Sequence, residues 1–143
     1  MPYSEMLVAP MRAELTSAGV QELRTAEEVD AFMAKPSSSD LLIVNSVCGC
    51  AAGAARPAVQ LALGQDLKPE RTATVFAGQD LDATAQARSH MQQIPPSSPS
   101  MALFRDGELV FFIPRHRIEG RAAAEIAGDL QAAFQEHCTA ATV

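Results

Sequence analysis

Two thiols stand one residue apart at Cys48 and Cys50, with Gly49 between them. An apolar run, Leu41-Leu42-Ile43-Val44, leads into them, and Ala51-Ala52-Gly53-Ala54-Ala55 follows. The pattern reads as a strand, a small-residue turn and then a helix. Unpaired N–H groups and the dipole at a helix N-terminus favour thiolate over thiol. A thiolate attacks a disulfide sulfur, and a second thiol releases the mixed disulfide that forms. Cys48 starts the turn and is the better attacker; Cys50, inside the first helical turn, is placed to resolve. A Cys48–Cys50 disulfide closes a small ring, for which Gly49 supplies dihedral freedom. Residual strain in such a ring makes it easy to reduce, which suits exchange rather than a structural bridge. The alternatives are a metal site and two ordinary buried cysteines. A zinc or cluster site would draw on His137 and Cys138, but the spacings are not those of known ligand sets. Cys138 itself reads as a small buried hydrophobe rather than a third redox partner.

The elements that must position these residues follow from periodicity. Residues 2–18 predict a helix with Met6, Leu7, Pro10, Met11 and Leu15 on its apolar stripe, stopping at Gly19. Residues 20–24 predict a short strand. Thr25 and Glu28 form a capping-box pair for a helix running to Lys35, before Pro36. Leu41–Asn45 has the continuous apolar pattern of a strand buried on both faces. A helix over 51–66 is expected to kink at Pro57, with Val59, Leu61 and Leu63 as its bulk. Thr72–Ala77 is a strand, 81–92 a helix, and 94–100 cannot be helical. Asp106-Gly107 between Met101–Arg105 and Glu108–Ile113 signals a hairpin. Ile118, Ala122, Ile126, Leu130, Phe134 and Cys138 give the last helix, about 118–138, its core stripe. The order, a helix followed by β-α-β-α-β-α-β-β-α, is that of an α/β thioredoxin-like fold. It has a central mixed sheet, helices on both faces and an extra N-terminal helix. One such domain would span 1–143.

That topology points to further candidates. The strand after Pro99 should run antiparallel to Leu41–Asn45, so its start lies beside the cysteine turn. A cis bond is expected at Ser98-Pro99 rather than at Pro95 or Pro96, leaving Ser98 and Pro99 to pair with substrate. Arg115 and His116, in Pro114-Arg115-His116-Arg117, return to the cysteine side. There they could stabilise a thiolate or bind the carboxylates of a small thiol. Arg56 is a weaker candidate of the same kind. No thioredoxin-type buried acid is read in Leu42-Ile43-Val44, and the chain has no Trp.

Composition bounds the rest. Of the 143 residues 48% are hydrophobic, enough for a packed core. The net charge of −6 argues against nucleic acid as a partner. No apolar run reaches the roughly 20 residues that span a bilayer, and no secretory signal is read at the start. A cytoplasmic location is the default expectation. Three cysteines cannot all pair within one chain.

Val44-Asn45-Ser46-Val47-Cys48-Gly49-Cys50-Ala51 resembles the Cys-Gly-Cys motif of the bacilliredoxins, thioredoxin-like bacterial proteins also described as Cys-X-Cys disulfide isomerases. Phe76-Ala77-Gly78-Gln79-Asp80 with Ala83-Thr84-Ala85, Ile94 to Ser100, and Phe111 to Arg121 are similar to that family too. The resemblance covers nearly the whole chain. It implies reduction of mixed disulfides between protein cysteines and a low-molecular-weight thiol, bacillithiol, with oxidase or isomerase activity also associated. It implies Cys48 as attacker and Cys50 as resolver. Partners would be proteins carrying mixed disulfides, with the small thiol as co-substrate and no other cofactor or metal. Mainly isomerase work, a metal or cluster carrier, and a binding protein without turnover are the competing functions.

Overall fold

The computed structural model describes residues 2–138. In chain order the elements are α1 (Glu5–Thr16), β1 (Gln21–Glu22), α2 (Ala26–Ala34), β2 (Asp40–Asn45), a π-helical turn (Ala51–Ala55) running into α3 (Arg56–Leu63), β3 (Arg71–Phe76), α4 (Leu81–Ser89), β4 (Ser100–Arg105), β5 (Glu108–Ile113), a 3₁₀ turn (Arg115–Arg117) and α5 (Ala123–His137). The sheet order is β1-β3-β2-β4-β5. β1, β3 and β2 are parallel, and β4 and β5 are antiparallel to their neighbours.

β2 lies at the centre because every one of its residues is buried. Side chains alternate across a strand, so the two faces divide the apolar run. Leu41 and Ile43 pack with Leu15 of α1, Val59 of α3 and Leu130 and Phe134 of α5. Leu42 and Val44 pack with Val29 and Phe32 of α2 and Ala83 and Ala87 of α4. The strand carries one buried carboxylate, Asp40, at the end away from the cysteines, where Arg71 pairs with it at 2.7 Å. The Thr25–Glu28 capping box is present. The hairpin turn places Asp106 and Gly107 at φ of 51° and 86°, the left-handed pair that a two-residue loop needs.

Several expected boundaries and faces move. In α1 the buried residues are Val8, Arg12 and Leu15, whereas Met6 is 88% exposed and Leu7 and Pro10 are also exposed. The helix is rotated because Arg12 takes an inward position. It bonds Glu5, Glu22 and Asp80 and sits over the Phe76 ring. β1 keeps only two residues, and α4 stops at Ser89. The irregularity after the cysteines lies upstream of Pro57, not at it. The Arg56 N–H bonds the Ala51 carbonyl five residues back, a π register. That wider turn accommodates a proline ring that would otherwise crowd the carbonyl of Gly53. Leu61 is half-exposed rather than core. The last helix begins at Ala123: Gly120 at φ 72° breaks the chain, Ala122 is exposed, and Ile118 is buried from the preceding turn. Ile126, Leu130, Phe134 and Cys138 form the expected stripe.

Candidate active site

β2 ends at Asn45, and the chain turns through Ser46 and Val47 into the cysteines. The Cys48 carbonyl accepts from Ala51 N at 3.0 Å and Ala52 N at 3.2 Å, so the helix starts there. Cys48 therefore occupies the N-cap position, and Cys50, with helical φ and ψ of −63° and −35°, lies in the first turn. Near the position a serine or aspartate cap oxygen would take, the Cys48 sulfur has the N–H groups of Cys50 and Ala51 beside it, and they favour its thiolate.

Partial burial opposes ionisation of Cys48. The Ser46 hydroxyl, the Ala51 N–H, the Cys50 thiol and the Cys50 N–H together outweigh it and hold the Cys48 pKa below that of an ordinary thiol. Cys50 moves the other way. Its bond to the Cys48 sulfur comes first, with desolvation and the Cys48 charge adding to it, and Arg115 partly offsets them. Two chemically identical side chains are thus driven apart: one toward thiolate, the other toward thiol. That is the arrangement for nucleophilic attack by one sulfur with a second held in reserve. Gly49 does not adopt the left-handed region in this dithiol form, and a Cβ there would meet open space.

Ser46 is held at three points. Its N–H donates to Asn45 Oδ1 at 2.8 Å, its carbonyl accepts from Arg56 Nη1 at 2.8 Å, and its hydroxyl accepts from Cys48 N at 3.0 Å. Arg56 is 1% exposed, so it is no surface ligand for carboxylates, contrary to the sequence expectation. Its Nη1 also donates to Asn45 Oδ1 at 2.9 Å. Its Nε lies 3.1 Å from Glu14 Oε1 of α1, an ion pair too bent for a hydrogen bond. Asn45 Nδ2 donates to the Met11 carbonyl, a second tie to α1.

The Ser98-Pro99 peptide is cis, as expected, and the register of Val44 with Ser100 brings this segment to the cysteine end of β2. Arg115 spans the gap. Its Nη2 lies 3.7 Å from Cys50 Sγ, its Nη1 donates to the Ser98 carbonyl at 3.4 Å, and its backbone N–H donates to Ser97 Oγ at 3.2 Å. Glu119 pairs with its Nε at 3.4 Å. His116 is exposed and makes no hydrogen bond or ion pair among the described residues. The structure thus gathers Cys48, Cys50, Ser98, Pro99 and Arg115, and leaves His116 at the rim. Sequence reasoning missed Asn45, Ser46 and Glu14. The available signal was two polar residues closing an otherwise apolar strand.

Cys138 packs at the opposite end of the sheet. Burial pushes its thiol pKa up, and the Ser39 hydroxyl, just before β2, partly opposes this. No three His, Cys, Asp or Glu side chains converge as a metal set among the described residues. Nor is any helix among them long and apolar enough to cross a membrane.

A family model described as Disulphide isomerase matches residues 3–138. A bacilliredoxin of Bacillus licheniformis is 53% identical over 137 residues, covering 95% of both chains. The chain belongs to the bacilliredoxin family. A Salinibacter ruber bacilliredoxin is 56% identical over 96% of this chain and 82% of its own length. Among solved structures, Fasciola hepatica thioredoxin superposes with a TM-score of 0.57 at 16% identity, covering 82% of this chain and 99% of that one. Malassezia sympodialis thioredoxin gives 0.55 at 16% identity, with 82% and 90% covered. These establish the thioredoxin fold. As a bacilliredoxin of that fold, the chain is a thiol–disulfide oxidoreductase.

Proposed function

We propose that this bacilliredoxin reduces mixed disulfides between protein cysteines and a low-molecular-weight thiol of the bacillithiol type. The opposed pKa shifts of the two thiols carry the reading: the Ser46 hydroxyl, the turn's N–H groups and the Cys50 thiol lower that of Cys48 against burial, and the bond to the Cys48 sulfur raises that of Cys50. The Cys48 thiolate attacks the small-thiol sulfur of the mixed disulfide. A Cys48–sulfur bond forms, the old S–S bond breaks, and the protein thiolate leaves with the electron pair. Cys50, as thiolate, then attacks Cys48 and expels the small thiol. The dithiol has become a disulfide, and its two electrons have reduced the substrate.

Once Cys48 is bonded to substrate it no longer carries the charge that raises the Cys50 pKa. Arg115 then remains as the cation favouring the Cys50 thiolate. The resolving sulfur is thereby activated only after the first step. Ser98 and Pro99 offer backbone to the substrate segment. Arg115 and the exposed His116 face the carboxylates of a small thiol.

The test is exchange on a protein–bacillithiol mixed disulfide. Cys48→Ser should abolish it, and Cys50→Ser should accumulate a Cys48-linked small-thiol adduct detectable by mass spectrometry. Full turnover by Cys48→Ser would overturn the reading. The family description, Disulphide isomerase, favours a second reading in which the same thiols reshuffle protein disulfides. Faster rescue of scrambled protein than of the mixed disulfide would select it.

A further inference from the structure

We propose that Arg56 is a positioning residue for Cys48, and that α1 takes part in the thiol chemistry through its Glu14–Arg56 ion pair. The inference rests on Cys48 being the attacking thiol. A guanidinium is seldom buried without a task, because it must find acceptors that replace water. Here its acceptors are the Ser46 carbonyl and Asn45 Oδ1, the two groups left over where the β2 ladder ends. Both fix Ser46, whose hydroxyl in turn meets Cys48. The chain of contact therefore runs from Glu14 through Arg56 and Ser46 to the backbone N–H of the reactive cysteine. Asn45 and Gln60 clamp α1 beside it through the Met11 and Glu14 carbonyls.

The charge pattern sharpens this. Cys48 faces Cys50 within its own turn, and Arg115 of the 3₁₀ turn, which pairs with Glu119 just beyond it. Arg56, backed by Glu14, reaches the same turn at the Ser46 carbonyl, two residues before Cys48. The neighbouring β4 side contributes only the uncharged Ser97, Ser98 and Ser100. Arg56 is the one buried cation in that set. It acts in two ways, by holding Ser46 and by placing positive charge under the turn. Glu14 mutes the second without contributing to the first.

Arg56→Gln should therefore slow Cys48, whereas Glu14→Gln should not. The measurement is the pH profile of iodoacetamide alkylation of the full chain, with Cys48 identified by peptide mass spectrometry and folding checked by circular dichroism. Arg56→Gln should shift the profile upward and slow Cys48 alkylation at pH 7 by about threefold or more. Arg56→Lys should restore part of the rate. Glu14→Gln should leave it equal or faster. Identical profiles in all three overturn the proposal. So does equal slowing in all three, which would mean a loosened turn. If Arg56→Gln does not fold, Arg56→Lys and Glu14→Gln still decide: a lysine variant matching the parent beside a slowed glutamine variant overturns it. Should the parent's Cys48 alkylate no faster than its Cys50, the attacking-thiol reading fails instead, and the two failures are separable.

Discussion

Replacing Cys138 separates the exchange centre from the core. The thiol is 4% exposed and belongs to the cluster with Ile126, Leu130 and Phe134. It lies by Ser39, which immediately precedes β2, whereas Cys48 lies three residues beyond the other end of that strand. β2 has six residues, so the two sites are separated by roughly 16 Å of strand alone. A disulfide requires Cα atoms within about 7 Å. Cys138 cannot reach either site cysteine without dismantling the sheet. Cys138→Ala should therefore leave exchange unchanged and cost stability only. Losing a buried sulfur costs about 1–1.5 kcal/mol. A chain of this length gives up about 0.3 kcal/mol per degree at its midpoint, so Tm should fall by about 3–5 °C. Cys138→Ser should cost more, since a hydroxyl is buried there, although Ser39 offers it a partner. Calorimetry and the mixed-disulfide assay on the same samples provide the check. Loss of turnover in Cys138→Ala with Tm unchanged would refute the reasoning.

Two further outcomes follow from the geometry. Arg115→Met should slow the resolving step about three- to tenfold at pH 7 while sparing the first attack, so rapid-quench mass spectrometry should find the Cys48 adduct lingering; a slower first step with normal resolution would contradict this. Burial opposes ionisation of Asp40, but the Arg71 guanidinium and Ser37 prevail and hold its carboxyl below the ordinary value. Its stabilising contribution is therefore complete above the unfolded pKa near about 4 and lost as pH falls through the lower folded value. Asp40→Asn should cost about 2 kcal/mol in urea unfolding at pH 7, with the gap to the parent narrowing in acid; a constant gap would count against the pairing.

The fold was legible wherever local chemistry and burial agree. A run such as Leu41–Val44 can be satisfied only between two layers, Asp106-Gly107 suits only a left-handed turn, and Thr25 with Glu28 caps a helix without outside help. The cysteine turn was legible for the same reason. What was hidden depended on partners distant in sequence. Nothing near Arg12 or Arg56 in the chain announces burial; their partners Asp80 and Glu14 come from other elements. Once Arg12 turns inward, the stripe of α1 rotates with it. The π register is equally invisible locally, since a proline within a helix signals a disruption without saying on which side the helix gives way.

In the turn itself, the residue proposed to perform the chemistry is also the residue at which the helix starts. While Cys48 is a thiolate, the N–H groups of Cys50 and Ala51 favour its charge. When that sulfur is spent in a disulfide the charge is gone, while the Cys48 carbonyl still holds the Ala51 and Ala52 N–H groups. On the proposed mechanism, each cycle would thus remove and restore a charge at the start of the helix. The charge favoured there stabilises the reduced pair, which makes the dithiol a milder reductant toward its proposed mixed-disulfide substrates. The hydrogen exchange of two backbone amides then becomes a gauge of redox state that needs no substrate to read.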